Sequence, residues 1–268
     1  TVTIRGLHGD LKPRQRMIAE IVGADGTLKR VPLICRIDTL DELEYFKNGV
    51  IKNAVNLAAV SDAAIAAYFR LGEDLGSLAA QLSEGGVRNI DVIYMGQIGA
   101  FDTEAITSAA VKGVLRPALG DEVNAVNSRI AARERGVSVN EQRRKDARNY
   151  KSLLSVKVDT DEGSVVVSGT IFEGGNARIT QVDQFDVDLR LSKYMVCMRY
   201  PDVPGMVGKF GMILGSHKIN IARMEVGRTA RGKQAMILLC LDDPIPAPVI
   251  EQIRKDVPVE FIRSVTLP

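Results

Sequence analysis

Apolar and polar positions alternate from the first residue. "TVTIRGL" (1–7) predicts an extended segment, and "QRMIAEIVGADGTLKRVPLICRI" (15–37) sets Asp25-Gly26 between two apolar runs, a hairpin pattern. "DTLDELEYFKNG" (38–49) predicts a helix: Asp38 or Thr39 caps it, acids fill its first turn and Gly49 stops it. "VIKNAVNLAAVSD" (50–62) reads as a connector. Leu71, Leu75, Leu78 and Leu82 then recur at helical spacing, and Gly85-Gly86 ends that helix. A strand is predicted over "RNIDVIYMG" (88–96). A helix over "DTEAITSAAVKGVLRPAL" (102–119) is capped by Asp102 or Thr103 and stops near Pro117. "DEVNAVNSRIAARERG" (121–136) reads as a further helix with Val123, Val126 and Ile130 on one face. "LLSVKVDTDEGSVVVSGTIF" (153–172) gives two strands around Asp161-Glu162-Gly163, and "GGNARITQVDQFDVDLRL" (174–191) is Gly-rich and then extended. This order predicts an α+β domain from about Ser61 to Leu191.

The remaining pattern is βαββαβ. "KYMVCMRY" (193–200) is a strand. "GMVGKFGMILGSH" (205–217) is a helix with Met206, Val207, Phe210, Ile213 and Leu214 on one face. "KINIARMEV" and "KQAMILLCLD" are strands, "APVIEQIRK" a second helix and "VEFIRSVTL" a last strand. Such a unit closes a small antiparallel sheet with two helices on one face.

Composition adds mostly exclusions. The 268 residues allow two domains, and 46% apolar with 25% charged residues is ordinary for a globular chain with a core. The net charge is +2, and the densest basic stretch, Arg143-Arg144-Lys145 with Arg148, lacks interleaved aromatics. It reads as a solvated loop or helix end, and no nucleic-acid partner is expected. Cys35, Cys197 and Cys240 sit in apolar stretches without metal-ligand spacing, as reduced buried thiols do. No apolar run reaches the roughly 18 residues of a membrane helix. With no signal-peptide pattern at the start, a cytoplasmic protein with no membrane partner is expected.

Catalysis is not expected of this chain alone. No G-x-G-x-x-G occurs; Gly205, Gly208 and Gly211 come nearest and read as helix-packing glycines, so no dinucleotide or other cofactor is expected. The two histidines are His8 and His217, and His217 falls at a helix C-terminus, where an imidazolium is favourable. No nucleophile–base or paired-carboxylate arrangement follows from spacing.

Familiar wording accompanies these patterns. "RYPDVPGMVGKFGMILGSHKINIARMEVGR" and "AMILLCLDDPIPAPVIEQIRK" resemble an ACT domain, the small-molecule regulatory module of many amino-acid enzymes. Upstream, "VNLAAVSD", "LGSLAAQL", "VLRPALGDEVNAVNSRIAARERGVSV" and "VSGTIFEGGNARITQVDQFDVDLRL" extend the likeness. Residues 52–268 together resemble the C-terminal half of a long-form D-3-phosphoglycerate dehydrogenase. "GDLKPRQ" and "CRIDTLDELEYFKNG" resemble instead the C-terminal tail of an aconitase-type hydratase, without a counterpart of that family's cluster cysteines or serine–arginine motif. The implied organisation is a hydratase-tail-like fragment (1–50), an α/β intervening domain (51–192) and a ferredoxin-like ACT domain (193–268).

The resemblance implies a regulatory and oligomerisation module of serine biosynthesis. In such dehydrogenases L-serine sits at an ACT–ACT interface, and the matching positions are Tyr200, Asp202 and Asn220, beside Gly205. The chemistry suits a zwitterion. Asp202 offers an anion to an ammonium, the helix N-terminus after Pro204-Gly205 offers N–H groups to a carboxylate, and Asn220 offers an amide. Read by spacing alone, Asp202 could cap the helix and Asn220 satisfy a turn. Pro201 removes a backbone donor beside the site. In the intervening domain the resemblance implies an anion or phosphorylated metabolite at Arg178 and Arg190, where forked guanidinium groups suit phosphate, with Gly174 and Gly175 nearby. Phe185 stands where the family often has a basic residue. The partners implied are L-serine or a related amino acid, a small anion and a second copy of the chain. The alternatives are a portion of a phosphoglycerate dehydrogenase acting with a separate catalytic chain, and a purely structural dimerisation unit.

Overall fold

A computed structural model describes residues 2–5, 12–23, 26–37, 63–172 and 174–268, and divides the chain into two compact units, Thr1–Ala59 and Val60–Pro268. The first unit carries an antiparallel sheet of β1 (Val2–Arg5), β2 (Arg16–Val22) and β3 (Leu28–Ile34), in that order. Val22 pairs with Leu28, and Gly26 takes a φ of 78°, so the apolar runs form the expected hairpin. Asp25, His8, the helix expected over 38–49 and the connector over 50–62 lie outside the described residues.

The second unit begins with α1 (Ala63–Leu82), β4 (Val87–Gly96), a 3₁₀ turn (Gln97–Ala100), α2 (Glu104–Leu119) and α3 (Ser128–Glu134). Strands β5 (Ser138–Arg144), β6 (Ser152–Thr160), β7 (Ser164–Phe172), β8 (Asn176–Val182) and β9 (Phe185–Arg190) complete a six-stranded sheet, ordered β5-β4-β6-β7-β8-β9. β4 and β5 are parallel, which the α2–α3 crossover permits, and the other pairs are antiparallel. Leu71, Leu75, Leu78 and Leu82 are buried on one face of this sheet with Ile90, Val92, Tyr94, Leu154, Val156, Val158, Val167 and Ile179. Strand side chains alternate, so Asp91, Ile93, Met95, Arg144, Ser155, Lys157, Val166, Ser168, Arg178 and Arg190 lie on the other face.

The last segment is β10 (Tyr194–Pro201), α4 (Met206–Ser216), β11 (Ile221–Arg228), β12 (Gln234–Leu241), α5 (Ala247–Asp256) and β13 (Phe261–Thr266). Its antiparallel sheet runs β11-β12-β10-β13, the ferredoxin-like arrangement expected. Met206, Phe210, Ile213, Leu214, Val249 and Ile253 cover one face. On the other face Met195, Cys197, Met236, Leu238, Cys240 and Val265 join the intervening core, so one apolar cluster runs through both domains. Burying each such large side chain contributes about 1.5–3 kcal/mol, which makes this junction a packed seam.

Several expectations need correction. Val207 is 39% exposed and does not share the buried face of α4. The helix over 121–136 is only α3, preceded by a 3₁₀ turn at Gly120–Glu122 and an asparagine turn. Asn124 Oδ1 accepts from the Val126 and Asn127 amides at 2.9 and 3.0 Å, and Asn127 Oδ1 from the Asn124 amide at 2.8 Å. These local bonds compete with a helix, and Ile130 is left exposed. α2 passes Pro117 and ends at Gly120, whose φ is 66°: a proline in the last turn removes only a bond to Gly113. Residues 174–191 form a hairpin turned at Asp183, which adopts a φ of 50°. Arg143 and Arg144 end an edge strand rather than a loop or helix.

Candidate functional site

In the last segment β10 delivers Tyr200, Pro201 and Asp202 to the start of α4. Gly205 is the residue before that helix, with a φ of 91° that only glycine adopts without strain. No side chain caps α4 and no acid lies in its first turn, so its leading amides point outward. Asp202 accepts the amide of Gly232, in the bend between β11 and β12, at 3.1 Å and lies 3.5 Å from the guanidinium of Arg228, the last residue of β11. Tyr200 is buried, with its ring edge-on to Phe210 at 5.2 Å. Burial, and secondarily the Asp202 charge, push its phenol above its ordinary pKa. Tyr200 therefore packs under the site.

Asn220 sits elsewhere. Its amide donates to Asp242 Oδ2 at 2.6 Å, beyond the far end of β12. Pro201 pairs with Gln234 and Ile221 with Leu241. Asp202 and Asn220 thus flank opposite ends of an eight-residue strand, about 23 Å apart at roughly 3.3 Å per residue. One chain does not bring them together. Arg228 and Asp242, which hold these two side chains, have no signal in the sequence beyond being charges at strand ends. His217 does not cap α4 with its ring: the imidazole Nε2 lies 2.7 Å from Gln252 Oε1 and ties α4 to α5.

Arg178 and Arg190 do come together. They are paired directly across β8 and β9. Like charges so placed repel, and Asp188, diagonal to Arg178, relieves this at 2.6 Å. Arg178 also lies over the Phe172 ring, 5.4 Å from its centroid. Gly174 and Gly175 have φ values of 84° and 78° in the neighbouring turn. Phe185 points the other way, fully buried in the shared core. Arg148, which the sequence reading placed in a solvated stretch, holds a φ of 57° and donates to Gln181 Oε1 at 2.8 Å. Its guanidinium lies 3.8 Å from Asp186, on the same sheet face as the arginine pair.

All three cysteines are buried and free. Burial pushes Cys197 up to about 12, and Cys240 is raised for the same reason, so neither is a nucleophile or ligand at neutral pH. Among the described residues no cluster of three potential metal ligands occurs, and no helix is long and apolar enough to cross a membrane.

Comparison with known proteins matches these two folds in the same order. Residues 64–183 match the D-3-phosphoglycerate dehydrogenase intervening domain, and residues 194–257 match the ACT domain. D-3-phosphoglycerate dehydrogenase of Synechocystis sp. is 36% identical over 189 residues, covering 70% of this chain and 34% of the relative. The Bacillus subtilis protein of the same name is 30% identical over 229 residues (84% and 44%), and the Archaeoglobus fulgidus protein 31% over 220 residues (80% and 42%). The chain therefore spans between a third and a half of the length of these relatives. The chain thus carries a D-3-phosphoglycerate dehydrogenase intervening domain over residues 64–183 followed by an ACT domain over residues 194–257, consistent with the C-terminal regulatory half of such a dehydrogenase.

Proposed function

We propose that this chain is a regulatory module of serine biosynthesis that binds L-serine, or a close amino acid, between two copies of its ACT domain. The intervening domain takes a small anion at Arg178 and Arg190. Dehydrogenation, the activity in the relatives' name, is not assigned to any residue of this chain.

The carrying observation is the separation of Asp202 from Asn220. The β13 edge of the ACT sheet is occupied by its own chain: Gln81 bonds the Thr266 backbone at 2.9 and 3.0 Å, and Arg263 pairs with Glu84. β11 is the other edge, and Met224 and Val226 on it are 45% and 37% exposed. A two-fold axis through the middle of β11 pairs that strand antiparallel with its copy. The Asn220 end of one β11 then lies beside the Arg228 end of the other, where Asp202 sits. The site so assembled has a carboxylate for an ammonium, the free amides of α4 for a carboxylate and the Asn220 amide for orientation.

Subunit mixing tests this. In calorimetry Asp202→Ala and Asn220→Ala homodimers each lose serine binding. Unfolded and refolded together in equal amounts, they pair at random, so about half of the dimers are mixed, each with one intact site of two, and the mixture binds serine at about a quarter of the wild-type stoichiometry. Failure of the mixture to bind would place both side chains in a site within one chain, or in none.

A further inference from the structure

The helix-free face of the six-stranded sheet holds a second basic cleft, separate from the Arg178–Arg190 pair. It encloses about 550 Å³ where that face meets the ACT domain. Its charged lining is Arg144 from β5, Arg148, Lys157 from β6, Arg199 from β10 and a single carboxylate, Asp183. In the lining itself four cations meet one acid, and three of the cations also have an acid beside the cleft: Asp186 lies 3.8 Å from Arg148, Asp159 2.6 Å from Lys157 and Glu260 3.3 Å from Arg199. Asp183 itself accepts the Val166 amide at 2.9 Å, and burial raises its pKa.

Donors remain in this cleft. Ser155 and Ser168 form its floor, 3% and 1% exposed, with their hydroxyl oxygens 2.6 Å apart. Two hydroxyls carry two protons and their mutual bond uses one, so a buried O–H is left to donate. Arg144 donates to the neutral Gln142 Oε1 at 3.0 Å. Lys157 contacts both carboxylate oxygens of Asp159, at 2.6 and 2.9 Å, and its ammonium has a third N–H to donate. Arg199 lies 3.3 Å from Glu260 through a buried Nε that is off the line of a hydrogen bond, with the guanidinium 5.7 Å from the Phe261 ring centroid.

We infer that this cleft binds a small phosphate-bearing anion, gripped by Arg144, Arg148 and Lys157 of the intervening domain and by Arg199 of the ACT domain. Hydroxyl and guanidinium donors converging on one cavity match a phosphate's acceptor oxygens. Arg199 makes the site a junction. It lies one residue before Tyr200 on β10, so an anion held here bears on the strand that leads to Asp202. Occupancy then favours one setting of the ACT sheet on the intervening domain, and any state that changes this setting changes anion affinity equally.

Titration of the whole chain with inorganic phosphate at constant ionic strength tests the assignment, read by calorimetry and by backbone hydrogen exchange. In a variant already lacking Arg178 and Arg190 (both to Gln), one phosphate site is expected to remain. In that background Arg144→Gln, on the exposed end of β5, and Lys157→Gln are each expected to weaken it roughly tenfold. Phosphate should also slow exchange in β6 and β10 together. Arg199→Gln should remove the protection in β10, and Arg199→Lys should restore part of it. Loss of all phosphate binding in the Arg178/Arg190 variant would overturn the proposal. So would affinity that ignores Arg144 and Lys157, or a response reproduced by chloride at equal ionic strength.

Discussion

Asp74 is the carboxylate that α1 buries, at 8% exposure. Burial is the largest influence and raises its pKa from 3.8 to about 6; Arg70 opposes this and Glu73 adds to it. The folded state thus holds the proton more tightly than the unfolded chain. Between roughly pH 4 and 6, stability falls as pH rises, by on the order of 2 kcal/mol, and stays low above that window. Asp74→Asn keeps the shape and removes the charge. Its thermal midpoint should match that of the parent near pH 4 and exceed it near pH 7, and the gap should open across that interval. A difference independent of pH would mean that the side chain acts through packing or hydrogen bonding. The surroundings of single residues in the proposed sites are only partly legible in the sequence. The turn at Gly205 is legible because glycine takes a positive φ without strain, whereas the direct pairing of Arg178 with Arg190 depends on a β8–β9 register that spacing does not give. Tyr200 is not legible either, because nothing in its flanks tells whether a tyrosine at a strand end points into the core.

At the scale of elements, α1 and α2 cross at glycines. A Cβ on Gly76 would lie 2.2 Å from the Ala110 carbonyl oxygen, and one on Gly113 would lie 2.1 Å from that of Glu73, while one on Gly72 meets the Ile106 carbonyl at 3.1 Å. Alanine favours a helix over glycine by about 1 kcal/mol, but at Gly76 or Gly113 the backbones must part to admit the methyl, with overpacking costs of about 1–3 kcal/mol. Chemical denaturation should therefore show Gly76→Ala and Gly113→Ala destabilised by up to about 2 kcal/mol net, and Gly72→Ala changed far less. If Gly76→Ala proves more stable than the parent, the crossing is looser than the backbone distances imply. These glycines mark what sequence patterning missed. The leucine spacing of α1 announces a helix, yet glycines inside it read as weaknesses, although they set how closely the neighbour approaches. Strand β5 was invisible because "SVNEQRR" is a charged sheet edge without alternating apolar residues. The overlong helix at 121–136 came from three apolar residues at helical spacing, which the Asn124 and Asn127 side chains override.

For the whole molecule, the ACT strand order was legible because βαββαβ connectivity leaves few closures, but the placement of its edges was not. The sequence does not say that the back of this sheet is roofed by the intervening domain, nor that Gln81 of α1 and Glu84 just beyond it contact the β13 edge. β11 is the other edge of the sheet, the one to which the proposed dimer assigns the second copy. Exposed strand edges pair readily unless charge or a bulge blunts them. Met224 lies near the midpoint of β11, so a two-fold axis there sets it close to its own copy. Met224→Lys brings two like charges together across the new pair, a destabilising arrangement, while Met224 is already 45% exposed in the single chain and the fold should tolerate the change. Light scattering over a concentration series should find the parent dimeric and the variant monomeric, with unchanged circular dichroism. If the amino-acid site needs both copies as proposed, the same variant should lose serine affinity while keeping phosphate binding at the intervening domain. A Met224→Lys protein that stays dimeric would move the interface away from β11, and a monomer that still binds serine would show that Asp202 needs no Asn220 from a second chain.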